Sequence, residues 1–252
     1  MLNLKERLRA SGVHLGLSCG VAIAAAAMVF GLWYPYPYRE ISGGRELFLI
    51  VVAVDILIGP LITFAIFDRV KPWQELRRDL AVVGLLQLLA LGYGLWTVYV
   101  ARPVHLVFEI DRFRVIHAIE VPEDLVGKQP AGIDPLPLMG PTLLSVRPFR
   151  DSSERMEATL AALQGAPLGA RPDLWQPYPA AHAEVLKAAK PFSQLRSRFP
   201  AHDVELDALV RRIGRSEASL GFLPLAGRKM FWTVVLDMRT AEVLGYLPLD
   251  SF

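Results

Sequence analysis

A carboxylate inside an apolar run is the residue in this chain with the clearest chemical potential. Asp55 lies in VVAVDILIGPLIT, residues 51–63, within an apolar stretch at 47–67. A run of that length reads as a membrane-spanning helix, where an acidic side chain is expensive and is kept for packing, recognition or ion movement. At helical spacing Asp55, Gly59 and Thr63 share one face. Pro60 has no N–H, so the carbonyl of Ile56 loses its usual partner. Gln87, in another apolar run, is the expected neighbour. Counted from the charged ends of the two runs, its depth differs from that of Asp55 by roughly 7–8 Å. A lone carboxylate on three helices makes a poor proton relay, and an aspartyl protease needs two facing carboxyls. The face with Asp55, Gly59, Pro60, Thr63 and Gln87 is therefore expected to serve helix packing or contact with a partner's membrane helix.

Other reactive residues are sparse. Phe108, Glu109, Asp111, Arg112 and Phe113 form a compact polar–aromatic motif soon after the last apolar run, a candidate membrane-boundary motif. Arg102, His105, Glu109 and Asp111 are where an unrecognised enzyme site would sit, against the plainer reading of a solvated strand face. His14, His105, His117, His182 and His202 include no close pair at metal-ligand spacing. Cys19 is the only cysteine, so neither an internal disulfide nor a cysteine cage is available. No nucleophile elbow, Walker loop or dinucleotide fingerprint is present. No catalytic residue, cofactor or metal is expected. The net charge is only +2 and the basic residues are scattered, so a nucleic-acid partner is not expected either.

The elements that must position these residues follow from hydropathy. Of 252 residues, 53% are hydrophobic, but residues 13–101 are almost continuously apolar while 102–252 have mixed charge. This predicts a three-helix transmembrane domain at 1–101, with spans near 13–34, 47–67 and 80–100, followed by a second domain at 102–252. The first run has the basic start of a signal peptide, yet it continues to Trp33 and is long enough to span, so an uncleaved helix is expected. Gly12, Gly16, Gly20 and Ala24 recur every fourth residue along it, a stripe on which another helix can pack closely. Pro35 and Pro37 end this helix in WYPYPYRE, whose Trp33, Tyr34, Tyr36 and Tyr38 suit a membrane interface. Residues 41–44, ISGG, read as a flexible turn, and residues 68–79 as a short charged loop. Lys5, Arg7 and Arg9 before the first span, and Arg69, Lys71, Arg77 and Arg78 between the last two, outnumber Arg39 and Arg45. The bias places the N-terminus in the cytoplasm and residues 102–252 in the periplasm of a Gram-negative cell.

The second domain reads as α+β with an antiparallel sheet built from both ends of the segment. Residues 102–121 are strand-like, and their apolar phase shifts after Asp111-Arg112, which predicts a bulge or tight turn. Residues 122–149 and 165–179 are proline-rich connections. Ser152 or Ser153 caps a helix to about Leu163, with Met156, Leu160 and Leu163 on one face. Further helical pieces are expected at 180–189, 192–198 and 204–213. FWTVVLDM, residues 231–238, and residues 242–247 form a pair of strands.

Taken together, GVHLGLS (12–18), WYPYPY (33–38), VDILIGPLIT (54–63), the run 79–104 and FEIDRFRV (108–115) resemble the type IV pilin accessory proteins of Gram-negative bacteria, the TfpX/TfpZ-like family. The resemblance implies an inner-membrane, multi-pass, non-enzymatic helper, chaperone-like toward pilin and needed for pilin stability and pilus assembly. Its partners would be the membrane helix and periplasmic head of a type IV pilin, together with the lipid bilayer. The family offers no catalytic residues to carry over, and the oligomeric state stays open. The competing expectation is a membrane-anchored periplasmic sensor or ligand-binding module.

Overall fold

Prolines and glycines set the ends of the long helices. The computed structural model describes residues 4–68 and 70–252. The first three residues and Arg69, one of the basic residues in the charge count, lie outside the described residues. Helix α1, Leu4–Met28, ends in a wider π turn at Val29–Trp33, just before Pro35. A short α2, Tyr38–Ile41, leads to Gly43, whose φ of 69° admits glycine most readily, and then to α3, Gly44–Ile66. Pro72 precedes α4, Trp73–Val100. All three long helices are long and apolar enough to cross a membrane. The start of α4 differs from expectation. Residues 73–79 are helix rather than loop, because Gln74, Glu75, Leu76, Arg77 and Arg78 are good helix formers with no proline or glycine among them.

The chain divides into two compact units. One comprises Met1–Arg39 and Gly43–Ala101, the other Glu40–Ser42 and Arg102–Phe252. In the first, α3 packs against both α1 and α4. Val29, Trp33, Tyr34, Phe48 and Val98 form a buried cluster there. The Tyr34 hydroxyl donates to the carbonyl of Val98 at 3.1 Å, and Trp33 meets Tyr99 edge to face at 5.1 Å. A Cβ on Gly44 would overlap the Tyr34 ring. Of the four aromatic residues assigned to an interface, Trp33, Tyr34 and Tyr38 are thus buried in the protein. Tyr36 is exposed, with the Arg39 guanidinium over its ring. A buried tyrosine needs a partner for its hydroxyl, and an open backbone carbonyl near a helix end supplies one.

The second unit is α+β. Its strands are β1 (Pro103–Glu109), β2 (Arg112–His117), β3 (Thr142–Val146), β4 (Trp175–Pro177), β5 (Lys190–Pro191), β6 (Leu220–Ala226), β7 (Phe231–Asp237) and β8 (Val243–Leu247). They form one sheet in the order β4-β3-β1-β2-β6-β7-β8, with β5 also paired to β6. The sheet is mixed rather than wholly antiparallel: β1–β3 and β2–β6 are parallel, the other pairs antiparallel. Strand patterning carries no direction. The 118–141 crossover returns β3 parallel to β1, and the longer excursion from β2 through β3, β4 and β5 returns β6 parallel to β2. Both ends of the segment do meet in the sheet, where β2 pairs with β6.

Helices α5 (Ser152–Leu163), α6 (His182–Ala188), α7 (Phe192–Arg198) and α8 (Asp203–Ile213) complete the unit. Phe192 and Leu195 of α7 and Leu206 and Leu209 of α8 pack on Leu220, Phe222, Val235 and Leu247 of the sheet. A second cluster gathers Val104, Val107, Ile116, Leu144, Ala170 and Trp175. The cap of α5 is Asp151, whose carboxylate accepts the N–H of Glu154 at 2.8 Å, not Ser152 or Ser153. Met156, Leu160 and Leu163 share a face as expected, but that face is exposed, and Ala158 is the buried residue. In the same unit Ile41 is fully buried, and a Cβ on Gly227 would overlap it.

Candidate functional site

Asp55 is the middle residue of the 23-residue α3. The Gln87 side-chain amide donates to its carboxylate at 3.3 Å and to its backbone carbonyl at 3.2 Å. The observed helix ends explain the meeting. Because α4 begins at Trp73, Asp55 before Ile66 and Gln87 after Trp73 differ in depth by only about 4–5 Å. Gly59 is equally necessary, since a Cβ there would overlap the Gln87 amide. The proline five residues beyond Asp55 loosens the ladder on its N-terminal side, and a side-chain donor from the next helix satisfies a carbonyl of that turn.

Helix α1 supplies the other half of the cluster. The Ser11 hydroxyl donates to the carbonyl of Pro60 at 2.8 Å. His14 Nδ1 and Thr63 Oγ1 are hydrogen-bonded at 2.5 Å, and Thr63 is buried. One face of α3 therefore carries Asp55, Gly59, Pro60 and Thr63, with Gln87 of α4 on one side and Ser11 and His14 of α1 on the other. Ser11 and His14 were not among the expected site residues. Their signal was present: 11, 14 and 18 are polar positions at helical spacing in an otherwise apolar helix.

The glycine stripe is placed differently. Around the Cβ positions of Gly12, Gly16 and Gly20 there is no atom within 4 Å, and all three are exposed. The side of α1 that packs inward carries Ser18, Ala22 and Ala25, roughly opposite the stripe. The close helix contacts within the unit fall elsewhere, at Gly59 against Gln87 and at Gly94 against Val51.

Two openings adjoin the cluster. One, about 610 Å³, is lined by α1 residues such as Arg9 and His14, by Thr63, and by Leu80 and Gly84 of α4. The other, about 170 Å³, is lined by His14, Ser18, Asp55, Gly84, Gln87 and Leu91, among others.

In the second unit the Phe108–Phe113 motif is a hairpin tip. Glu109 pairs with Arg112 across a two-residue turn, which accounts for the phase shift in the sequence. Ile110 adopts φ 52°, a conformation rarely taken by a β-branched residue, and is exposed. Asp111 pairs with Arg112 at 2.7 Å, Arg112 lies over the Phe252 ring, and Phe108 stacks near Phe113. Glu109 is buried. Its carboxylate accepts the Gly169 N–H at 2.6 Å and pairs with Arg114 at 3.0 Å. Seven residues of β1 separate this turn from Arg102, about 23 Å of strand. Closeness in sequence to α4 is therefore not closeness in space to the residue that leaves it.

The residues of the possible enzyme site are likewise engaged. His105 is buried between Thr142 Oγ1 at 2.6 Å and the carbonyl of Pro135 at 3.1 Å, and it packs edge-on against Trp175. Burial pushes its pKa down to about 4, so the ring is neutral and donates to Pro135. The Arg102 guanidinium donates to the carbonyls of Leu136 and Pro137. These are the contacts of residues that hold the 134–142 connection to β1.

Comparison with known proteins supplies the decisive observation. The fimbrial assembly protein of serogroup E1 from Dichelobacter nodosus is 35% identical over 246 residues, which cover 96% of this chain and 95% of the relative. The chain belongs to the fimbrial assembly protein family. Its serogroup I relative from the same organism is 34% identical over the same share of both chains. The relative from serogroups C1 and C2 is 40% identical over 106 residues, 42% of this chain and 81% of its own. The model of the family described as fimbrial assembly protein FimB matches residues 2–43. No solved structure matches. The accessory family of type IV pilus assembly that the sequence resembles is the one these relatives show, and a three-helix membrane anchor joined to an α+β unit is its architecture in this chain.

Proposed function

We propose that this chain supports type IV pilus assembly as a chaperone-like factor that binds pilin and does no covalent chemistry on it. The observation that carries the reading is the match along nearly the whole chain to proteins named for fimbrial assembly. The three-helix anchor would meet the pilin's membrane helix, and the α+β unit its head. The N-terminus would lie in the cytoplasm and the α+β unit in the periplasm, with the helices in the inner membrane. Asp55 and Gln87 would face the partner's helix in the bilayer, with Gly59, Pro60 and Thr63 packed beneath them inside the anchor, and the open stripe of Gly12, Gly16 and Gly20 offers a second face for close helix approach.

The test is removal of the gene, followed by counts of surface pili and immunoblots for pilin, with the wild-type gene restored as control. Loss of pili or of pilin on deletion, recovered on complementation, is the expected result. Unchanged piliation with unchanged pilin would end the proposal.

A further inference from the structure

The two openings beside Asp55 share His14, Leu17 and Gly84, so they form one groove, walled by α1 and α4 and floored by α3. We infer that this groove is a docking slot for one transmembrane helix of the partner, and that this helix carries a hydrogen-bond donor at the depth of Asp55. The inference rests on the pilin-binding reading and narrows it to one face of the anchor.

Charge complementarity selects the occupant. A carboxyl group has more hydrogen-bonding positions than one N–H can fill, and in hydrocarbon no water fills those left over. Among the described residues, Gln87 is the side chain that hydrogen-bonds the Asp55 carboxylate, through one N–H group. A lipid tail would fill the apolar walls at Leu17 and Leu88 but would offer the carboxylate nothing. A helix bearing a hydroxyl, amide or amine supplies both the apolar surface and the donor. The walls also permit close approach. Gly84 lines both parts of the groove, and its Cβ position has no atom within 4 Å. The intramolecular contacts of the cluster are complete without closing the groove, since Ser11, His14 and Gln87 bind α3 from its two sides.

The experiment is photo-crosslinking in cells with the full-length chain, placing a photoreactive residue at Leu88 or Leu91 in the groove, or at Ile23 or Leu57 outside it. Pilin adducts from Leu88 and Leu91 are expected. Asp55→Asn should lower their yield about three- to thirtyfold, the range for one membrane-buried polar contact. Gly84→Leu, which puts a side chain into the groove from a position whose Cβ is clear of other atoms, should abolish them at normal protein level. Pilin adducts only from Ile23 or Leu57 would overturn the slot and leave pilin binding standing. Phospholipid adducts alone from Leu88 and Leu91 would also overturn it. No pilin adduct from any position, with piliation unaffected by deletion, would remove the underlying reading as well.

Discussion

The side-chain amide of Gln87 on α4 reaches both the backbone carbonyl and the carboxylate of Asp55 on α3, and it passes over Gly59 to do so. The two helices are joined at this point by one polar group that fits only because another residue has no side chain.

Two glycine substitutions should therefore have opposite signs. Gly59→Ala drives a methyl into the Gln87 amide and should cost about 1–3 kcal/mol, the usual range for overpacking. Gly16→Ala meets nothing and replaces a poor helix former, so it should be neutral or stabilise by up to about 1 kcal/mol. Thermal unfolding of the purified protein in nanodiscs measures both. Equal destabilisation by the two would contradict this packing.

Acid should weaken the second unit through His105. Its folded pKa is about 4, against 6.5 for the free side chain. Between these values the unfolded chain binds a proton that the folded chain refuses. The stability contributed by the neutral ring is therefore complete above pH 6.5 and is lost progressively as pH falls toward 4, by roughly 3 kcal/mol in all. Denaturant titrations of the full chain at several pH values, repeated on His105→Gln, check this. The variant should show a shallower acid slope.

Glu109 should behave as a structural carboxylate. Glu109→Ala removes an acceptor from the Gly169 N–H and a partner from Arg114, and should cost about 2–3 kcal/mol. Glu109→Gln keeps an acceptor for Gly169 and should fall between the variant and wild type. Melting temperatures of the three proteins rank them, and a Gln variant worse than Ala would refute the assignment.

The start of α5 offers a sharper contrast. Asp151→Ala should destabilise by about 1 kcal/mol, whereas Ser152→Ala and Ser153→Ala should stay within about 0.5 kcal/mol. Leu160→Gln on the exposed face should be similarly mild, while Ala158→Leu, at a fully buried position, should not. Denaturant midpoints separate the two groups.

Much of this was legible beforehand, for identifiable reasons. The three long helices follow from uninterrupted hydropathy, and α7, α8, β7 and β8 from local periodicity bounded by turn residues. The tight turn after Glu109 showed as a change of apolar phase. Short strands β3 and β4 were hidden among prolines, because three to five residues carry too little pattern to stand out. The apolar face of α5 was visible, but its exposure was not, since periodicity says which residues lie together and not what covers them.

For the polar cluster, the residue types were set by the chain alone: a carboxylate at mid-helix, a proline and glycine beside it, and a glutamine in the neighbouring apolar run. Their meeting was decided by tertiary structure. The start of α4 set the depth of Gln87, the missing side chain of Gly59 gave it passage, and the rotation of α1 brought Ser11 and His14 inward while turning Gly12, Gly16 and Gly20 out. Helix formation is governed by short-range backbone bonds that local sequence encodes. Which face of one helix meets another depends on packing among all three at once.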